Sequence, residues 1–547
     1  VGCYSDSNID DEFLSGMASG SSGSAGATAE DDCNELVEEW PGPALAAYTP
    51  LTVAEVEQVI IGAVEQALAV GADATVAVVD REGFILGVFA MPAAPIGPAP
   101  PVPATLDPAG TAGVNAAIVK ARTAAWLSSD QNAFTTRTAF FIVQSHFPPG
   151  VEYTPGGPLY GVQNSSDTGS DVRSDAAGIG SNPTPLTPPF PPLDQIGPNG
   201  LTGSFGGLPL YKGGFLVGGV GVSSTIADED ERIAVAGTRG FAAPQAIQAC
   251  EILVDGIRLP FHAAVPPIVM PTLAFGALPG GVVAGFPVRA GLPLPAVPTA
   301  TLGGVTGELR YPIVASGVSA LTAADVTTII GQAAARSAVT RAAIRRPLGV
   351  PAQVWIAVVD TGGNILGLFR TPDAPLFSLD VSVQKARTAV VYSDGVAEPA
   401  LGEPIAGLPL GSAVSTRAVG FMAQDFYPPG IQDSGMAGPL FGVQDALPLG
   451  LGAGIAGLDI TPGLIGDATD GNGITIFPGG IPLYIGSVLV GAIGISGDGV
   501  DQDDYIAAGG AVGYEPAEAI RSDQFDVLGA RLPWVKFPRN PTEGVNP

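Results

Sequence analysis

The sequence predicts an α+β protein in which one domain occurs twice in tandem, and three observations carry that expectation. A strand–turn–strand stretch at Val76–Val88 recurs at Ile356–Leu368. Further blocks follow each copy in the same order, separated by loops of varying length. Gly (76) and Pro (52) are so frequent among the 547 residues that short strands and loops are favoured over a helical chain. The repeat period is far too long for a solenoid, so the unit is a duplicated domain. A chain of this length exceeds a single core in any case.

In chain order, residues 1–48 form an acidic, Gly/Ser-rich extension with a helical patch expected near Asp31–Trp40. Thr52 then opens a helix as N-cap, with Glu55 three residues on to complete a capping box. Val56, Ile60, Val64, Ala67 and Leu68 share one face of that helix. In the hairpin that follows, an apolar run breaks at Asp-x-x-Gly and resumes. Asp80 and Asp360 stand where a catalytic acid could, but the turn accounts for them. Their carboxylates bond the turn backbone, while Gly83 and Gly363 take positive φ. A Pro-rich insertion, Met91–Pro108, precedes a second helix at Gly113–Leu127 with Lys-Ala-Arg-Thr-Ala at 120–124. Next come Thr136–Gln144, His146–Gly150 and Gly157–Gln163, then a long polar loop to about Leu201. Gly206–Tyr211 leads to an apolar strand, Phe215–Val222, and to a helix from about Asp228. Its first turn holds acids from Asp228 to Glu231, where the helix dipole favours them. A last strand, Ile257–Phe261, closes the first domain, 49–262.

Residues 263–318 are Pro/Gly-rich, apolar and nearly free of charge. They are expected to be a linker lying along the domains or against another chain, since so much apolar surface does not stay exposed. The second domain, 319–547, repeats the order with Thr322, Gln384–Val390, Ser415–Phe421, Tyr427–Gly430, Gly438–Gln444, Gly479–Tyr484, Val488–Ser496, Asp501–Asp504 and Ala530–Trp534.

A net charge of −29 and a pI near 4.2 exclude nucleic acid and anionic membranes as favourable partners. No run of ~18 apolar residues occurs without Gly, Pro or charge, so no transmembrane segment is expected. Low charge density with few lysines points to a secreted or cell-surface bacterial protein. Of the three cysteines, Cys3 and Cys33 flank the extension and are expected to form a disulfide worth roughly 3–4 kcal/mol; unrelated thiols are the alternative. Val1-Gly2-Cys3 also resembles the end of a lipoprotein signal, although a chain numbered from Val1 suits a conventional cleavage just upstream.

The hairpin, the Lys-Ala-Arg-Thr-Ala helix at 120–124 and 385–389, the Gly-rich segments ending at Ser223 and Ser496, and the acidic helix start after each resemble the GlcG/HbpS-type family of haem-binding, haem-degrading or PduO C-terminal-like domains. Most of 49–262 and 319–536 is covered by this resemblance. It implies two profilin-like α/β/α domains, each with a central antiparallel sheet flanked by helices. Oligomerisation is implied as well, with haem as the cofactor in some members.

Haem iron takes an axial His, Met, Cys or Tyr. The two histidines, His146 and His262, are not repeated: Phe426 and Val535 occupy the matching positions. His146, before Pro-Pro-Gly, is the candidate axial ligand, and packing within the loop is the alternative. Cys-x-x-Cys-His is absent, which excludes multihaem attachment. The repeated Lys120, Arg122, Thr123 and Lys385, Arg387, Thr388, together with Arg137 and Arg417, could meet haem propionates or the fold's own carboxylates. Arg370 belongs to the second copy alone, with Ala90 in the first, and Ser224 of the first copy stands where the second has Gly497. Asp467, Asp470 and Asn472 offer oxygens at Ca²⁺-loop spacing but without the bidentate Glu of an EF-hand, so an Asx-rich turn is equally open. The leading expectation is a secreted, non-catalytic haem or small-ligand binder that self-associates. The alternative is a structural subunit of an extracellular homopolymer, and an enzyme using the inter-domain cleft comes third.

Overall fold

The computed structural model describes residues 4–5, 48–95, 113–151, 154–162, 172, 201–263, 268–293, 297–393, 405–424, 426–428, 436–441, 474–542 and 544–545. In the first domain, helix α1 (Val53–Val70) leads to strands β1 (Ala74–Asp80) and β2 (Ile85–Ala90). Helices α2 (Val114–Trp126) and α3 (Thr136–Ile142), strands β3 (Gly207–Lys212) and β4 (Phe215–Ser224), and helix α4 (Asp230–Gly237) follow. Strand β5 (Gly281–Val282) completes an antiparallel sheet of order β3-β4-β1-β2-β5.

The second domain adds the hairpin β6 (Thr299–Leu302) and β7 (Val305–Tyr311) before helix α5 (Ala323–Ala338). Strands β8 (Trp355–Asp360) and β9 (Ile365–Arg370), helices α6 (Ser378–Ser393) and α7 (Thr416–Met422), strands β10 (Gly480–Ile485) and β11 (Val488–Ser496), and helix α8 (Val500–Gly510) repeat the first plan. Its sheet runs β6-β7-β9-β8-β11-β10, again antiparallel. The fold is α+β with two matching domains, as the repeat predicts.

The caps are those the sequence specifies. Thr52 and Glu55 form a complete capping box on α1, and Thr322 with Asp325 does the same on α5. In the hairpins, Asp80 accepts from the Glu82 and Phe84 amides, and Asp360 from those of Gly362 and Asn364. Both are turn residues. Two features differ from expectation. Ile257–Phe261 does not join the main sheet: Leu253–Val254 pairs with Ile257–Arg258 as an isolated hairpin over Asp255 (φ 50) and Gly256 (φ 81). Pro260 then has no N–H with which to extend a ladder. The stretch 263–318 supplies strands to both sheets. Val283 and Arg289 donate to the Val88 and Leu86 carbonyls, while β7 pairs with β9.

Each sheet packs on both faces. Val76 and Val78 face Ile60, Val64 and Ile233 in an outer core with α1 and α4, and Ile356 and Val358 do so with α5 and α8. The alternate residues, Ala77, Val79, Ala357 and Val359, face inward to a core that includes both domains. Every residue of α6 is buried, as is every residue of α2 except Asn115. A helix covered all round has a partner on each side; its own sheet is one, and at the end of α2 the Trp126 carbonyl accepts the Phe377 amide of the other domain at 3.2 Å. Its approach to the sheet needs glycine: a Cβ at Gly221 would sit 2.0 Å from the Ala117 carbonyl oxygen, and one at Gly494 2.0 Å from that of Ser382.

Charge crosses the same interface. The first hairpin turn extends Glu82 to Arg310 (3.3 Å) and Arg370 (3.4 Å), both of the second domain and all three buried. Beside it, Arg81 meets Asp373 (3.4 Å) and Asp130 (3.7 Å), and Arg345 meets Asp373 (2.5 Å) and Asp498. Burial alone raises the Glu82 pKa, but Arg310, Arg370 and Arg81 outweigh it and hold the carboxyl below its usual range. Burial pushes Asp80 up to about 7, and burial with the Asp373 charge pushes Asp130 up to about 6.

Removing one partner of such a network leaves its counter-charges buried. Glu82→Ala is therefore expected to cost about 3–5 kcal/mol in urea unfolding, while Glu229→Ala, on a half-exposed pair, should fall under about 1 kcal/mol. For pH the sign follows from the raised values. Asp80 and Asp130 stabilise the fold when protonated, fully below their ordinary value near 4, and the contribution is lost as pH rises through about 6 to 7. Melting temperature should fall between pH 5 and pH 8. Asp80→Asn, which keeps the turn acceptor, should flatten that slope; an unchanged slope would remove Asp80 as its source.

Candidate functional site

The repeated basic residues hold carboxylates of the fold in both copies. Lys120 Nζ donates to Asp230 Oδ2 (2.7 Å) and to the Val222 carbonyl (2.8 Å). Lys385 does the same with Asp503 (2.7 Å) and Ile495 (2.8 Å). Arg137 grips Glu231 through Nε and Nη2 at 2.9–3.0 Å and lies 4.0 Å from the Phe205 ring centroid. Arg417 bonds Asp504 and, at 2.7 Å, Asp501. The Ala263 and Lys536 amides close the two arrangements on Glu231 and Asp504 at 3.0 and 2.9 Å. Each domain thus ties its inner helix to the first turn of α4 or α8 through adjacent acids.

Electrostatics follow burial. It pushes Asp503 up to about 7 and Asp230 and Asp504 upward, while it pushes Lys385 down. Both shifts within the Lys385–Asp503 pair favour neutral partners. Carboxylates of the fold are one of the two partners the sequence leaves open for these cations, and α4 and α8 supply them. Thr123 and Thr388 donate to the preceding helical turn at Val119 (2.8 Å) and Gln384 (2.7 Å) and accept the Thr202 and Thr475 amides at 2.9 Å. Arg122 lies 4.8 Å over Trp126, and Arg387 donates to the Gly363 carbonyl at 3.0 Å. Arg370 donates to the Ala374 carbonyl (2.6 and 2.9 Å) besides meeting Glu82.

His146 stands apart from these pairs. It follows α3 on the way to Phe147-Pro148, and its ring lies 6.1 Å from that of Phe426, which follows α7 in the other domain. Its Nδ1 is 2.8 Å from the Thr154 carbonyl oxygen. A carbonyl only accepts, so Nδ1 carries the proton and the neutral ring has its lone pair on Nε2. Metal-ligating histidines are held in this way. Next to it in the chain, Phe141 packs edge-on against Phe147 (5.8 Å), and in the other domain Phe421 packs in the same way on Tyr427 (5.5 Å). The Gly156 amide reaches Gln424 Oε1 at 3.4 Å across the junction. His262, by contrast, lies against Phe261 with Nδ1 at 2.8 Å from the Ala263 carbonyl oxygen. Nothing in the sequence indicated that His146 would face its own counterpart position, because only the packing of the two copies brings them together.

Cys3, Cys33, Asp467, Asp470 and Asn472 lie outside the described residues. Among the described residues no group of His, Cys, Asp and Glu is placed to hold a metal ion, and no helix is long and apolar enough to cross a membrane.

Comparison with known proteins places these features. The model of the family described as "Haem degrading protein HbpS-like" matches residues 102–239 and 321–511. The chain is similar to an uncharacterised 15.0 kDa protein from the dhaT-dhaS intergenic region of Citrobacter freundii, 26% identical over 174 residues, which is 32% of this chain and 84% of that protein. Among solved structures it is similar to a PduOC–haem complex (22% identity, 36% of this chain and 94% of that one, TM-score 0.21). It is also similar to a double mutant of Streptomyces reticuli HbpS (20% identity, 41% and 98%, TM-score 0.21). With the family model matched in two separate runs that together span more than half of its length, this chain belongs to the HbpS-like family and carries the family's domain twice.

Proposed function

We propose that this protein binds haem at the junction between its two domains, without catalysis, outside the bacterial cell or at its surface, as a self-associating molecule. Membership of the HbpS-like family supports haem as the ligand class. The observation that carries the reading is His146, with Nδ1 on the Thr154 carbonyl and its ring at the aromatic boundary of the two domains. That donor set fits an axial position on haem iron. The repeated cations offered for propionates are engaged by carboxylates or carbonyls of the fold, so the imidazole carries the reading. When bound, haem supplies a redox-active iron with a visible chromophore. The chain's part is to orient the imidazole and exclude water.

A second reading, a structural subunit of an extracellular homopolymer, has one observation in its favour. Strand β6 ends the second sheet, and among the described residues nothing pairs with its outer edge. Such an edge is a template for another chain. Discrete particles in negative stain at high protein concentration would sink it.

Titration of the full-length protein with haemin tests the leading reading. A shifted Soret band that saturates is expected. His146→Ala should weaken binding by at least about tenfold while leaving the far-UV circular dichroism unchanged. A wild-type protein that shifts no Soret band at any haemin concentration overturns the reading. Steady bleaching of the bound band under a reductant would instead show turnover.

A further inference from the structure

Self-association, the part of the proposed function on which this inference rests, needs a face that two copies of one acidic chain can share. With 52 acids and a net charge of −29, copies repel unless their contact is free of uncompensated carboxylates. The two main sheets have four edges, β3, β5, β6 and β10. Those of β3 and β10 are closed in the same way in both domains. Pro209 and Pro482 remove the central donor. On either side, Gly207 and Gly480 donate to the Thr136 and Thr416 hydroxyls at 3.0 and 2.8 Å. Tyr211 and Tyr484 donate to the Phe241 and Tyr514 carbonyls at 2.8 and 2.7 Å. Strand β5 has two residues. That leaves β6.

Its hairpin turn fixes which backbone groups are free. Gly303 and Gly304 (φ 57 and 84) form a two-residue loop, so Leu302 with Val305, and Ala300 with Gly307, exchange the bonds to β7. The Leu309 amide continues that alternation on the Pro298 carbonyl at 2.7 Å. The N–H and C=O of Thr299 and Thr301 therefore point away from β7, where no described strand meets them. Proteins blunt exposed edges with charge, proline or a bulge. Strand β6 has none of these within it. Ala300 and Leu302 pack toward the α5 core, while Thr299 and Thr301 are exposed. Glu308 is the one acid of the hairpin, and Arg310 and Arg370 hold it. Where Gly303 abuts the Gly331 carbonyl, the row of α5 through Gly331 exposes Ala324, Thr328 and Ala335, again without charge.

We propose that β6 pairs antiparallel with β6 of a second copy about a two-fold axis at Ala300, joining two six-stranded sheets into one. Thr299 of each chain then stands opposite the partner's Thr301, and each such pair exchanges two backbone bonds, four in all. The occupant is a second copy because the strip is self-complementary: turned about Ala300, its donors meet its own acceptors, and no like charges are brought together. An isologous contact closes at two chains, whereas a homopolymer needs a different surface on each side.

Sedimentation equilibrium of the full-length protein over a range of concentrations tests this. The parent is expected at twice its chain mass of 54.8 kDa. Thr301→Pro removes one outward N–H from each chain and should weaken the dimer about tenfold or more. Thr299→Lys with Thr301→Lys sets lysine against lysine in both pairs and should give monomers. Thr299→Lys with Thr301→Glu sets lysine against glutamate and should restore the dimer. A parent that stays monomeric, as when a segment of its own chain covers the edge, or one that grows into fibres, would overturn the proposal. So would a dimer that all three variants leave intact, or a Lys/Glu variant as monomeric as the Lys/Lys one. Should Thr301→Pro fail to fold, the parent's mass and the two charge variants still decide, with far-UV circular dichroism confirming the fold. Haem is read separately. A dimer that shifts no Soret band keeps this inference and removes haem binding, and a monomer that binds haemin does the reverse.

Discussion

The structure depends on burying charge where the two copies meet. Glu82 leaves the first hairpin turn and ends between Arg310 and Arg370 of the second domain. Desolvating a carboxylate and two guanidiniums costs several kcal/mol per ion, recovered only while all stay in contact. The arrangement therefore adds little net stability but penalises separation heavily. The apolar part acts in the same direction. The α2 and α6 helices are almost wholly buried, and one apolar cluster runs through both domains, each large apolar side chain in it contributing about 1.5–3 kcal/mol while it stays covered. Two domains that share a core and lock it with ions behave as one folding unit.

That lock is also where the copies have diverged. The first turn reads Asp80-Arg81-Glu82-Gly83, the second Asp360-Thr361-Gly362-Gly363. Asp and Gly, which the turn needs, persist in both. Arg81 and Glu82, which reach across, occur once, and so does their target Arg370, whose counterpart is Ala90. The residues internal to each domain show the opposite behaviour, with Lys120–Asp230 and Lys385–Asp503 both at 2.7 Å. Local requirements keep both copies alike. Contacts between copies need only one member from each side.

Local physics was legible in the sequence and long-range pairing was not. Thr52 with Glu55, and the Asp-x-x-Gly turns, depend on residues at most four apart, and each stands as read. Helix α2 was visible from its motif, but Lys120 meets an acid 110 residues away, and no spacing rule connects them. Strands β5 and β7 were hidden for another reason: they lie in a stretch whose Pro, Gly and lack of charge read as a linker. Of the two only β5 lies at a sheet edge; β7 pairs on both sides, with β6 and β9. The junction at His146 and Phe426 was the least visible of all, because it is a property of how two domains dock.

Fusion explains why a single histidine is available there. In a symmetric homodimer a residue near the two-fold axis occurs on both sides, so an imidazole facing its own copy is always a pair. One chain carrying both domains removes that constraint, and His146 faces Phe426 across otherwise matching backbone. The same freedom produced the one-sided Glu82 lock, which holds the two non-identical halves in a fixed relation. Asymmetry in the lock and asymmetry at the junction are linked consequences of duplication within one chain. The first keeps the domains from parting, and only domains that stay in register keep one imidazole and one phenyl facing each other.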